Sequence, residues 1–117
     1  MRFTDKLFHP IQNCEETTIV LCKALQIAYT RKALVGALLT HPDYPSLLAV
    51  SDVMKDYGVE NISAYLKDTK ELTKILQPFI AQIVSENEQE KKFALIYFAS
   101  ETKVSWHNPE RHKREEI

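Results

Sequence analysis

Residues 14–29 read CEETTIVLCKALQIAY, with apolar side chains at 19, 20, 22, 24, 27 and 28. Recurrence at three and four residues is the period of a helix with one apolar face. Asn13 stands where an N-cap belongs, and Glu15 and Glu16 complement the positive end of the helix dipole. The spacing therefore predicts a helix over 14–29 with Cys14 at its N-terminus.

Downstream, Thr30 caps a second helix with Ala33, Leu34, Ala37 and Leu38 on one face, running to about Thr40. The segment HPDYP at 41–45 ends it, because prolines on either side of Asp43 and Tyr44 force an extended turn. Ser46 caps a third helix that carries Leu47, Val50, Val53, Met54 and Tyr57 on one side, with Gly58 as its left-handed terminator. Past Gly58 the pattern alternates, Ile62, Ala64 and Leu66 against Asn61, Ser63 and Tyr65, which predicts a strand near 60–66. Asp68 and Glu71 form a capping box for a short helix holding Leu72, Ile75 and Leu76, ended before Pro78. Three strand-like stretches follow at 79–84, 93–99 and 104–107, separated by the charged turn SENEQEKK and the shorter SETK. The closing run NPERHKREEI, residues 108–117, has no apolar face and reads as a solvated tail. Helices first and an antiparallel meander second make an α+β layout, one layer of helices on one sheet.

At 117 residues the chain is the length of one domain, large enough to bury a core without staples. Its 44% hydrophobic and 26% charged residues are those of a folded chain. A formal charge of −1 provides no positive field to hold nucleic acid or an anionic membrane. The longest apolar runs, such as residues 33–39, fall far short of the roughly 20 residues a membrane span needs. Residues 1–10 carry Arg2, Asp5 and Lys6 and no continuous apolar core, so no secretory signal is read and a cytosolic domain is expected. The two cysteines, Cys14 and Cys22, would lie about 12 Å apart along one helix, beyond disulfide reach, and are expected as free thiols.

A thiol at a helix N-terminus is favoured as thiolate by the dipole and the free N–H groups, so Cys14 is placed for reactivity. Glu15 and Glu16 work the other way, and a free cysteine is often simply a small buried hydrophobe. Cys22, mid-helix on the apolar face, is packing. His9, His41, His107 and His112 lack the paired spacing of a metal site, so neither metal nor cofactor is expected.

Cys14 heading a helix, HPDYPSLLAVSDVMKDYGVEN at 41–61, PFIAQI at 78–83 and the strand pair ending VSWHNP together resemble a known domain. It is the papain-like peptidase domain that trims double-glycine leaders in bacteriocin exporters, family thirty-nine of the cysteine peptidases. The resemblance covers nearly the whole chain and is nearest the variant of Bacteroides-type bacteria, which is fused to exporter, vitamin K epoxide reductase or thioredoxin-like modules. It implies a papain-like fold, a leader peptide or a peptide segment of a partner protein as ligand, and a place as the soluble part of an inner-membrane protein. The family domain continues past its Asp-Pro pair with a short helix and a strand, elements this chain is expected to lack.

The family's parts are a helix-borne Cys, a strand-borne His, an orienting Asp or Asn, and a Gln oxyanion donor ahead of the Cys. Cys14 matches the nucleophile. The Gln position falls on Phe8, while Gln12, the nearest glutamine, is only two residues from Cys14. The His position, immediately before Phe93, is Lys92, which could act as a base only if burial pulled its pKa down by several units. The Asp position is Asn108, before Pro109. His107 beside it is a rescue candidate, but adjacent strand residues face opposite sides, so a His107 beside an inward Asn108 is expected to be a solvated strand-end residue. Tyr44 either lines a groove above Cys14 or plugs the edge of the core. With two of four parts unmatched, the expectation is a peptide-binding module with an incomplete catalytic set. The alternatives are an active leader peptidase using Cys14 and a thiol relay serving a fused redox domain.

Overall fold

A computed structural model describes residues 11–61, 75, 77–84 and 91–117. These residues form three helices, α1 (Asn13–Ala24), α2 (Arg31–Leu39) and α3 (Leu47–Asp56). Four strands follow, β1 (Phe79–Val84), β2 (Lys91–Ala99), β3 (Val104–Asn108) and β4 (Lys113–Glu116). The sheet is an antiparallel meander in the order β1-β2-β3-β4. Helix α1 lies against β2 and touches β1, α2 packs on α1, and α3 packs on α2. The mixed α+β layout expected from the sequence is therefore present. The strand near 60–66 and the short helix at 68–76 fall almost wholly outside the described residues.

Helix boundaries follow local chemistry. The Thr30 hydroxyl accepts the Ala33 N–H, and the Ser46 hydroxyl accepts the Ala49 N–H, each satisfying a free donor of the first turn. Helix α3 ends as its glycine signalled. Gly58 has φ +84°, its N–H reaches the Lys55 carbonyl, and the Val59 N–H reaches the Met54 carbonyl. That pair of bonds is the Schellman closure.

Helix α1 departs from expectation at both ends. It starts from Gln12 rather than Asn13, because the Gln12 N–H is taken by the Glu15 carboxylate at 2.8 Å. It stops at Ala24, not at Tyr29. Gln26 turns left-handed at φ +57° and its N–H bonds the Lys23 carbonyl, while the Ile27 N–H bonds the Cys22 carbonyl. This is the same Schellman closure without a glycine, and it folds Ile27 back onto the core. Ile27 thus kept a helical spacing from Lys23 and Val20 while lying outside the helix.

Released from capping, the Asn13 side chain reaches β2. Its Nδ2 donates to the Phe93 carbonyl at 2.9 Å, its Oδ1 accepts the Phe93 N–H at 2.6 Å, and the Thr17 hydroxyl donates to the same carbonyl at 3.2 Å. The β2–β3 ladder runs from Ile96 onward, so Asn13 meets a strand residue that lies beyond that pairing. The core beneath is built from Leu21, Cys22, Leu34, Leu38, Met54 and Leu95.

Residues 113–116 correct the expectation of a tail over 108–117. KREE pairs with β3, His107 opposite Arg114 and Asn108 opposite Lys113. Its side chains are mostly exposed, so no apolar alternation exists to betray it, and charge on an edge strand blocks further pairing. No helix among the described residues is long and apolar enough to cross a membrane.

Two substitutions test these junctions. Asn13→Ala leaves the buried Phe93 N–H unpaired and is expected to cost about 1–3 kcal/mol in urea unfolding. Gln26→Gly removes left-handed strain at the end of α1 and is expected to raise stability by up to about 1 kcal/mol. A loss with Gln26→Gly would show that the Gln26 side chain, not its backbone, holds this turn.

Candidate functional site

Cys14 is the second residue of α1 and is 2% exposed. Burial pushes its thiol up to about 11, and the neighbouring Glu15 carboxylate adds to the rise, while a hydrogen bond from the Ser46 backbone acts the other way. The group is a protonated thiol at neutral pH, and the dipole of a helix start does not overcome its surroundings.

Those surroundings are acidic. Glu15 has no exposed surface, and burial of a carboxylate is tolerable only when its oxygens are bonded. Gln12 supplies its backbone N–H to Oε2, and the Tyr44 hydroxyl donates to Oε1. Tyr44 in turn has its phenol raised above its ordinary value, by burial first and then by its bond to Glu15 and the nearby charges of Glu15 and Cys14. Tyr44 is half-buried and packs against the core. Gln12 is an exposed residue whose backbone N–H serves this cluster.

Lys92 and Asn108 both reach the β3–β4 turn. Lys92 lies inside β2, not in the loop before it, and its ammonium is 3.8 Å from Glu110 in the β3–β4 turn. Asn108 organises that same turn. Its Oδ1 accepts the N–H groups of Glu110 and Arg111, and its Nδ2 donates to Glu115 at 2.6 Å. The bond from Asn108 is the largest cause holding the Glu115 carboxyl below its ordinary range. Lys92 also pairs with Ile83 of β1 and precedes Phe93, the residue held by Asn13, while Cys14 meets Glu15, Tyr44 and Ser46.

His107 reverses the expected parity of β3. Ser105 and His107 are the buried residues of this strand, so His107, and not Asn108, faces α1. It is not a solvated strand-end residue. Its Nε2 lies 3.1 Å from Glu16 Oε2, and His112 Nδ1 lies 2.6 Å from Glu16 Oε1. Glu16 therefore ties the β3–β4 hairpin to α1 through two imidazoles. His112 reaches it from a left-handed turn residue, φ +57°, inside the segment expected to be a tail, which is why the sequence did not expose this contact. His41 is held by Asp52 at 2.8 Å and by the Asp43 N–H. Among the described residues no imidazole is hydrogen-bonded to the Cys14 sulfur, and no group of three or more His, Cys, Asp and Glu is arranged to hold a metal ion.

Beside the Glu16 contact is a groove of about 410 Å³. Ile11, Ile19 and Val20 form its apolar wall, Lys23 and Arg31 bring the cations, and Tyr29, Glu16 and His107 complete it. No protein-family model matches the chain, and no curated protein or solved structure shows significant similarity to it.

The raised thiol sets the sign of a pH dependence. A thiol protonated in the folded chain and ionising earlier when unfolded contributes stability that is complete below its ordinary value of 9.0 and is lost as pH rises toward about 11. Urea unfolding at about pH 8 and about pH 10.5 is expected to differ by about 2 kcal/mol on this account. That part of the difference should vanish in Cys14→Ala; an unchanged slope would place the thiol in a polar, ionisable setting. Tyr44→Phe, which strips a bond from buried Glu15, is expected to cost about 1–3 kcal/mol at neutral pH.

Proposed function

We propose that the chain is a papain-like domain of the double-glycine leader peptidase type that holds a peptide and does not cut it. The order of elements supports this reading, a cysteine-headed helix laid on an antiparallel meander with two further helices behind it. The observation that carries the non-catalytic part is the state of Cys14. A cysteine nucleophile works as an accessible thiolate beside a base, whereas this cysteine is 2% exposed and its thiol is pushed up to about 11. Cys22 adds no second reactive thiol, being fully buried with its sulfur 3.8 Å from that of Met54.

The ligand of this reading is a leader peptide or a similar segment of a partner protein, met on a module fused to an exporter, a vitamin K epoxide reductase or a thioredoxin-like domain. Recognition by apolar walls and backbone does not require a base, so binding outlasts the loss of catalysis.

The test is incubation with a panel of double-glycine leader peptides, with product read by mass spectrometry and binding by calorimetry. Binding without cleavage above the level of Cys14→Ala is expected. Cleavage after the glycine pair that disappears in Cys14→Ala would make the domain an active peptidase, and absence of binding across the panel would remove the leader as its ligand.

A further inference from the structure

We propose that the groove on the outer side of α1 is a binding site for an acidic peptide segment with aliphatic neighbours, separate from the surroundings of Cys14. At 3.6 residues per turn Glu16 lies about 200° around the helix from Cys14. Ile19, Val20 and Lys23 share the Glu16 side, so this groove and the cysteine occupy opposite faces of one helix. The site goes beyond the proposed leader-binding function and does not depend on it.

Three features give the groove its chemistry. Its volume, about 410 Å³, lies in the range of about 300–1,000 Å³ typical of ligand sites. Its wall of Ile11, Ile19 and Val20 accepts aliphatic side chains. Among the described residues its cations are unpaired while its acid is not. Lys23 and Arg31 are exposed and form no ion pair among the described residues. Glu16, in contrast, has one oxygen on His107 and the other on His112. The imidazoles occupy both oxygens of Glu16, the one carboxylate among the described lining residues, and Lys23 and Arg31 are left to receive an incoming anion. Two cations are too few for nucleic acid, whose binding typically uses about 6–10 phosphate contacts, and the chain as a whole carries −1. A segment alternating aliphatic and carboxylate side chains matches both the wall and the charge.

The probe is a short fluorescein-labelled peptide of alternating leucine and glutamate, compared by anisotropy with one of leucine and lysine. The leucine–glutamate peptide is expected to bind, more weakly as salt rises, because exposed charge pairs are screened. Lys23→Glu and Arg31→Glu are each expected to weaken binding by up to about fivefold, and together by about tenfold or more. Lys55→Glu, on α3, is expected to leave it unchanged. Both groove substitutions are at exposed positions, and unfolding curves for each variant separate lost binding from lost fold. Equal binding of the lysine peptide, indifference to the double substitution in a folded protein, or no binding at about 1 mM would overturn the proposal. Displacement by acetate or inorganic phosphate at concentrations similar to the peptide's would likewise overturn it, reducing the groove to a generic anion contact. Failure of the leader peptides to bind would leave these outcomes untouched.

Discussion

The Asn13 side chain and the Phe93 backbone exchange two hydrogen bonds across 80 residues of sequence, and the orientation of α1 depends on them. An amide that offers both a donor and an acceptor takes up the two backbone groups of a strand residue as a neighbouring strand would. With Thr17 bonding the same carbonyl one turn later, two successive turns of α1 are tied to β2, and the roll of the helix is set. That roll sends Cys14, Thr18, Leu21 and Cys22 inward and leaves Glu16, Ile19 and Val20 for the outer groove.

The chemistry of Cys14 follows from the same roll. Glu15 is carried into the interior, where it is stable only with partners, and it obtains the Tyr44 hydroxyl and the Gln12 N–H. The cysteine then lies buried beside a carboxylate instead of exposed beside an imidazole. Desolvation and like charge both favour the thiol over the thiolate, and the positive end of the helix is spent on Glu15 through Gln12. One face of α1 is closed by this cluster while the other holds the hairpin through Glu16, His107 and His112. A single helix thus joins the helical layer to both the start of β2 and the far edge of the sheet.

Much of this fold was legible where a local residue has one physical use. Ser46 and Gly58 marked the two ends of α3, Thr30 marked the start of α2, and the strand-like stretches at 79–84, 93–99 and 104–107 anticipated β1, β2 and β3. Legibility failed where the same pattern has two readings. Ile27 keeps helical spacing yet folds back past a left-handed Gln26, a conformation usually taken by glycine. Lys113–Glu116 forms a strand entirely from charged residues, because on an exposed edge only the backbone needs a partner. Of the candidate site, the position of Cys14 at a helix start was readable, and so was the rule that His107 and Asn108 must face opposite sides. Which of them faces the helix was not readable, since that is decided by the Glu16 contact and by the turn that Asn108 organises. The burial of Glu15 was hidden for a similar reason, its partner Tyr44 lying 29 residues away.

The central claim is that Cys14 is a core residue and not a nucleophile, and its own titration reads this most directly. Selective carbon-13 labelling of cysteine, with the Cβ shift of Cys14 followed by NMR against pH and assigned with Cys14→Ser, reports the thiol in the folded chain. A midpoint near 11 is expected, with the signal unchanged through neutral pH. A midpoint below about 8, under the ordinary thiol value, would contradict the claim and return Cys14 to the role of an activated thiolate.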